Sequence, residues 1–333
     1  MNVDSSRPTG SKAADFLATH AQLLSIAGFF LIMIVVFATL SPVFLTSGNL
    51  LNVLRQAAPI LIVAVAMTFV ITTGGIDLSV GSTVALINAL AAIFLQAGIP
   101  WPLVVIALFA IGGAIGVLQG WFIAFQGIQP FIVTLAGLST LRGIALLMTA
   151  GFSIPIATDL GFVLIGRGWF AGVPAPAWIA VAVAILGFLA LAHMRFGRYV
   201  VAIGANQEAA RRAGIPTRRI ILLVYALTGL ASAGAGIIIA ARLGSGSSNA
   251  AVGFELEVIA AVVLGGTSLM GGRGSILGTI LGALTIAVIG NGLILSHVSP
   301  FFTQIVTGAI ILLAVWLNAK VFSRLASGTR RRA

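Results

Sequence analysis

The sequence predicts an all-α polytopic membrane fold of about ten crossing helices. Three observations carry that expectation. Of 333 residues, 59% are hydrophobic and only 8% are charged, against about a quarter charged in soluble domains. Several apolar stretches reach the roughly 20 residues that a helix needs to cross the hydrocarbon core. These stretches are too long and unbroken for barrel strands, which alternate over about 10 residues. Lipid offers the backbone no hydrogen-bond partners, so only helices or closed barrels can span it, and the helix is the choice that remains.

Hydropathy places the crossings near 21–42, 52–73, 79–97, 102–125, 130–149, 177–194, 220–241, 255–270, 276–296 and 301–320. Residues 1–20 then form a cytoplasmic N-terminal tail, 21–320 the transmembrane domain, and 321–333 a basic cytoplasmic C-terminal tail. The run from Ala21 to Leu40 is longer than the core of a signal peptide and no clear A-x-A site follows it, so it reads as a retained first helix. With the N-terminus inside, 14 lysines and arginines fall on the inner side and 3 (Arg55, Arg167 and Arg242) on the outer, with Arg142 inside the fifth crossing. That bias has the direction of the positive-inside rule. The net charge of +11 therefore reports orientation and contact with membrane lipid, and predicts no nucleic-acid partner.

Several function classes are excluded by composition. There are no cysteines, hence no disulfides, thiolate nucleophiles or Cys-ligated zinc. His20, His193 and His297 are far apart in sequence and predict no metal site. No H-E-x-x-H occurs, nor a G-x-S-x-G in a strand–turn–helix context, so an enzyme is not expected. A P-loop needs Gly directly before Lys, and the only lysines, Lys12 and Lys320, follow Ser11 and Ala319. Any ATP and Mg must be bound by another chain.

The second crossing ends in Gly74-Gly75-Ile76-Asp77-Leu78 and is followed by Gly81-Ser82. The eighth ends in Gly265-Gly266-Thr267-Ser268-Leu269 and is followed by Gly274-Ser275. Six crossings separate the two, so both copies point the same way, as in a parallel internal repeat. Glycine breaks at membrane depth are tolerated where backbone is buried in protein or faces a wet cavity. Gly74, Gly75, Asp77, Gly265, Gly266 and Ser268 are thus candidate gate residues. Gly112, Gly116 and Gly120, and again Gly274, Gly278 and Gly282, recur at four-residue spacing, which lets helix backbones approach closely.

Residues 195–219 form the one long polar segment. Asn206 stands as an N-cap, Glu208 lies in the first turn, Ala209 and Ala210 follow, and Arg211 and Arg212 sit toward the far end. Gly214 and Pro216 supply the stop. This order predicts a short cytoplasmic helix beneath the membrane. Two arginines would suffice to fix topology on anionic lipid; a capped helix held on both sides by crossings suits docking into a partner's groove.

Four ordered motifs resemble the permeases of ribose/xylose/arabinose/galactoside-type ABC sugar importers. They are Gly75-Ile76-Asp77-Leu78-Ser79-Val80-Gly81-Ser82, Gln129-Pro130-Phe131-Ile132-Val133-Thr134-Leu135, Arg195-Phe196-Gly197-Arg198-Tyr199, and the run from Glu255 through Leu269. The likeness extends from about Leu40 to Lys320. Glu208-Ala209-Ala210-x3-Gly214 is also similar to the E-A-A…G loop with which importer permeases grip their ATPase, although the I-x-L-P that completes the longer motif is absent. The resemblance implies an inner-membrane subunit that translocates a monosaccharide or related polyol. Its partners would be a cytoplasmic ABC ATPase, an extracytoplasmic solute-binding protein and a second permease copy, either identical or a close paralogue.

Individual polar residues in the membrane zone admit more than one role. Asp77 reads as a gate or cavity-lining group met by N–H groups of a helix beginning at Leu78, or as the N-cap of that helix. Ser268 has the corresponding place in the second break and caps without charge. Arg142 snorkels or pairs with Asp77 or Asp159. Glu255 and Glu257 complement a helix N-terminus at the outer face or contact the binding protein. Asn88, Gln129, Thr134 and Asn291, with Gln119, Gln126 and Gln304, are pathway candidates for a neutral polyol; each could instead bridge helices. Two alternatives stand beside the sugar permease. One is an ABC permease for another small solute, such as a quorum-sensing furanone or a branched-chain amino acid. The other is an ion-coupled secondary transporter, for which only Asp77 offers an intramembrane carboxylate in a plausible place.

Overall fold

The computed structural model describes residues 12–299 apart from 160, and beyond them residues 302, 305, 306, 308, 309, 312 and 316. The helices are α1 (Lys12–Leu40), α2 (Ser47–Thr72), α3 (Val80–Gln96), α4 (Trp101–Ala124), α5 (Pro130–Thr149), α6 (Leu164–Arg167), α7 (Ala175–Ala192), α8 (Arg195–Ala205), α9 (Gln207–Arg212), α10 (Thr217–Leu243), α11 (Phe254–Leu264) and α12 (Ile276–Leu295). Among the described residues, α1, α2, α4, α5, α7, α10 and α12 are long and apolar enough to cross a membrane. The chain is a helical, polytopic membrane protein.

Two of the ten expected crossings are shorter than a span, and their bounds have local causes. α3 has 17 residues, about 25 Å of helix, because the glycine break delays its start to Val80. α11 has 11 residues, about 17 Å, and cannot cross alone. Gly253 (φ +79°) precedes it and the Gly265-Gly266 turn ends it. The tenth expected crossing, 301–320, and the C-terminal tail fall largely outside the described residues. At the other terminus α1 begins at Lys12, within the expected tail.

Chain direction alternates, so 73–79, 125–129, 193–216 and 265–275 share one end of the bundle, while 97–100, 150–174 and 244–253 share the other. At that second end β1 (Ile154–Pro155) pairs antiparallel with β4 (Ser245–Gly246), and β2 (Trp169–Phe170) with β3 (Val173–Pro174). α2, α10 and α12 are buried for most of their length, whereas α1, α4, α5 and α7 turn apolar side chains such as Leu31, Ile106, Leu147 and Leu186 outward.

The four-residue glycine spacing does pack helices. Gly112 lies against Gly229 and Ala233, Gly116 against the Tyr225–Ala226 backbone, and Gly120 against Leu222, so α4 and α10 touch backbone to backbone. α11 and α12 meet in the same manner, Gly265 on Gly278 and Ala261 on Gly282. Gly274 instead faces Thr72 of α2. In lipid, where apolar burial between helices gains nothing over lipid contact, such close packing is, with interhelical hydrogen bonds, what holds helices together.

The polar segment folds as two helices where one was expected. Asn206 (φ −164°) breaks the run, and its side chain accepts from Ala209 N at 2.9 Å, capping α9. The preceding α8 buries Gly197, Val200 and Ile203 and turns Arg195 and Arg198 to solvent. Phe196 packs on Phe69 of α2 with ring centroids 5.5 Å apart. Gly214 (φ +82°) ends the segment in the left-handed conformation.

Gly116→Val should force α4 from α10 and cost roughly 1–3 kcal/mol or more, read as a lower unfolding midpoint in detergent. Gly143→Ala, whose added methyl meets open space, should leave that midpoint unchanged or slightly raised, since Ala favours the helix over Gly.

Candidate functional site

Both glycine breaks converge on the end of α8. Gly272 N donates to Thr72 O (2.9 Å), and the Thr68 and Thr279 hydroxyls lie 2.8 Å apart, joining α2 to α12 and to the second break. Gly204 is wedged against Thr72 O and Gly272 N, while Gly271 lies against Gly204 O and Gly74 N. Gly74, Gly266, Gly271 and Gly272 all have φ between +76° and +87°, a region that favours glycine. At Gly204 the joint is main chain against main chain, and a side chain there would collide with it. Ser268 does not cap α12, contrary to expectation. Its hydroxyl accepts from Met270 N within the break (3.3 Å), and Ser275 takes the cap, accepting from Gly278 N at 3.0 Å.

Asp77 lies in the first break and is enclosed. Its Oδ1 accepts from Ser79 N (2.9 Å) and Ser79 Oγ (2.7 Å), and Thr228 Oγ1 is 3.1 Å from Oδ2. Gln119 Nε2 donates to Ser79 Oγ at 2.8 Å. Because α3 begins only at Val80, Asp77 forms a turn ahead of the helix rather than its N-cap. The neighbouring Ile76 carbonyl accepts from Tyr225 Oη (3.1 Å) and from Thr134 Oγ1 (3.5 Å). α4, α5 and α10 each contribute a side chain to this irregular turn. Gly75 has no room for a side chain beneath the Tyr225 hydroxyl.

Arg142 pairs with neither Asp77 nor Asp159. From α5 its Nη1 donates to Ser248 O (2.6 Å) and Ala250 O (2.9 Å), and Nη2 to Ala251 O (3.4 Å). These carbonyls belong to 245–253, which dips into the bundle along α3. Gly246 lies beside Asn88 and Ala92, and Ala251 beside Gly81. Asn88 Oδ1 accepts from Ser247 N at 2.6 Å, so the pathway candidate Asn88 is a fastener of this segment. The Thr149 and Ser248 hydroxyls, 2.8 Å apart, add a further tie. Glu255 lies against Gly81 and near Arg142.

Beside this segment two adjoining cavities, of ≈ 440 and ≈ 590 Å³, open between α2, α10, α11 and α12. They share Gln56, Ile60, Val252 and Glu257; Arg242 and Asn249 line the smaller and Asn291 the larger. Asn291 also exchanges reciprocal amide hydrogen bonds of 2.9 and 3.0 Å with Asn49 of α2. Gln126 and Gln129 are exposed at the opposite end, and Gln304 lies outside the described residues. Sequence reasoning passed over Gln56, Ser79, Tyr225, Thr228 and Arg242 as site residues. Tyr225 and Thr228, one turn apart on an otherwise apolar stretch of α10, were the available signal.

At the joint's outer surface α9 presents a charged face. Glu208 accepts from Arg211 (2.9 Å) and Arg212 (3.0 Å), all three exposed. Hydrogen bonds from Arg211 and then Arg212 hold the Glu208 carboxyl below its usual range.

The bundle thus folds irregular backbone into its interior, with a polar cavity toward one end and a basic two-helix segment jointed to its breaks at the other. The chain belongs to the family described as branched-chain amino acid transport system / permease component, which it matches over residues 49–315. It is 44% identical over 295 residues to the ribose import permease protein RbsC of Escherichia coli K12, covering 87% of this chain and 91% of that protein. To the protein of the same name from Bacillus subtilis it is 43% identical over 313 residues, 94% and 97% of the two chains. To the galactofuranose transporter permease protein YtfT of Escherichia coli K12 it is 39% identical over 287 residues, 86% and 84%. No solved structure matches the chain. Membership makes it a multi-pass inner-membrane permease subunit rather than a catalytic one.

Two outcomes follow. Arg142→Ala leaves three carbonyls short of donors and should loosen 245–253 at a cost of about 1–3 kcal/mol, read as faster labelling of a cysteine placed at Ala250. The Glu208 contacts should persist above the ordinary carboxylate range, because a lowered pKa stabilises the folded form there, and should vanish only as pH falls through the lowered value. NMR of a labelled Glu208 side chain checks this.

Proposed function

We propose that the chain is the membrane-spanning permease subunit of an ABC importer for a monosaccharide or related polyol. It takes the solute from an extracytoplasmic binding protein, works beside a second permease copy, and is driven by a cytoplasmic ATPase that binds ATP and Mg. The printed names of its relatives, which specify ribose, galactofuranose and xylose, support the substrate class. In this reading there are ten crossings related in part by a parallel repeat, both termini are cytoplasmic, and the α8–α9 end is the inner one.

The observation that carries the mechanism is the main-chain joint at Gly204. A load placed on α9 by the ATPase, through Glu208, Ala209, Ala210, Arg211, Arg212 and the Asn206 and Gly214 that bound it, passes into α8. Gly204 then bears directly on Thr72 and Gly272, so both breaks feel it together. No flexible side chain intervenes to absorb the motion. Asp77, held by Ser79 and Thr228 while Gln119 holds Ser79, fixes the first break in shape rather than carrying an ion, which disfavours ion coupling.

In proteoliposomes with ATPase and binding protein, Glu208→Ala with Gly214→Val should abolish ribose uptake while leaving membrane insertion intact. Gly204→Val should separate ATP hydrolysis from uptake, lowering sugar moved per ATP by about tenfold or more, the equivalent of ~1.4 kcal/mol of lost coupling. Uptake by the chain alone under a proton or sodium gradient would overturn the proposal.

A further inference from the structure

The cavity beside 245–253 differs from the other depressions in the bundle. A groove of ≈ 330 Å³ between α2, α4, α7 and α10 is lined wholly by apolar residues and glycine. Such a surface is at home in lipid and has nothing with which to hold a polar solute. The cavity at the other end combines Arg242 at the close of α10, Glu257 on α11, Gln56 on α2 and Asn249 on the dipping segment. These come from four separate parts of the chain. Arg242 Nη1 is buried and has no hydrogen-bond partner among the described residues. Its Nε-bearing neighbour Arg55 supplies only more positive charge nearby. Neither Arg242 nor Glu257 is in an ion pair within 4.0 Å among the described residues. Charges in a membrane protein that do not pair normally face water or a passing solute.

We infer that Gln56, Arg242, Asn249 and Glu257 form a solute-holding subsite for a neutral polyhydroxy compound, rather than a plain aqueous vestibule. This rests on the sugar-permease reading and assigns it residues. The donor and acceptor inventory fits. A guanidinium only donates, a carboxylate only accepts, and the two amides do both. A hydroxyl also does both, so a chain of vicinal hydroxyls can bridge from Arg242 to Glu257 without leaving either unsatisfied. One positive and one negative group leave the lining without net charge, so neither an anion nor a cation is favoured over a neutral solute. Ile60, Val252 and Phe254 supply apolar surface for the C–H faces of a sugar ring. The volume of ≈ 440 Å³ lies in the range of about 300–1,000 Å³ usual for small-molecule sites.

The chain has no cysteine, so Ala250→Cys, on the wall of the same cavity but outside the four polar residues, provides a single reporter thiol in the full-length protein in nanodiscs. Ribose or xylose at high concentration should slow its reaction with a small maleimide at least about twofold, a shift expected of weak binding, while leucine should not. Glu257→Gln introduced into that reporter should remove the protection. In the assembled importer, Glu257→Gln and Arg242→Gln should each lower sugar transported per ATP hydrolysed by about tenfold, the loss of one charge-assisted hydrogen bond. Absence of protection by either sugar, equal protection by leucine, or unchanged transport per ATP in both variants would overturn the subsite. If the unsubstituted importer still takes up ribose or xylose in those cases, the permease reading stands and only the subsite falls. If it takes up neither, both fall.

Discussion

The hydrocarbon core supplies no hydrogen-bond partner, so each peptide group that leaves a helix there must find one inside the protein. Among the described residues, the chain leaves the helix within its bundle at 73–79, 245–253 and 265–275. Each departure has a dedicated set of donors and acceptors. Tyr225 and Thr134 serve the Ile76 carbonyl, and Asp77 takes the Ser79 amide. Arg142 and Asn88 hold the second segment, and Thr72 O meets the Gly272 amide of the third. The buried helices α2, α10 and α12 provide much of the wall around these segments, which explains why the polar side chains of an apolar bundle sit where they do.

The same constraint accounts for the distribution of charge. A charged group placed at mid-membrane costs about 2.5–3.5 kcal/mol on insertion scales, and the chain spends few. Arg142 offsets its cost by meeting three carbonyls that no helix could satisfy. Asp77 is offset by two hydroxyls and a main-chain N–H. Glycine then does what side chains would obstruct. At Gly116, Gly204 and Gly265 any added carbon would strike the backbone of another element. Stiff backbone contacts of this kind transmit displacement, because packed interiors deform little before they rearrange.

Much of this was legible in the sequence, and the remainder was hidden for identifiable reasons. Apolar length and arginine bias revealed the membrane character, and the Asn206 cap and Gly214 stop were local signals that the chain obeys. The helical character of 195–205 was missed because its apolar face, Val200 and Ile203, is short and interrupted by Gly197 and Gly204. α11 read as a full crossing because hydropathy counts apolar residues and not whether they continue one helix. The partners of Arg142 could not be read at all. They are main-chain carbonyls about 106 residues away, and a carbonyl carries no sequence label. Asn49 opposite Asn291, and Gln119 beside Ser79, likewise meet only because helices distant in the chain are packed together.

The two irregular regions at opposite ends of the bundle are not independent. α3 begins at the first break and is flanked along its length by 245–253, with Ala251 and Glu255 lying against Gly81. α11 begins where that segment ends and finishes at the second break. It carries Glu257 near one end and Gly265-Gly266 at the other. A helix of 11 residues cannot bend appreciably, since bending in helices accumulates gently over long spans or requires a proline or similar defect. In the proposed coupling scheme, α11 would therefore move as a body with the second break and carry Glu257 with it. α11 is too short to cross the membrane alone, and it joins the second break, where Gly271 and Gly272 meet Gly204, to the wall of the polar cavity that Glu257 lines.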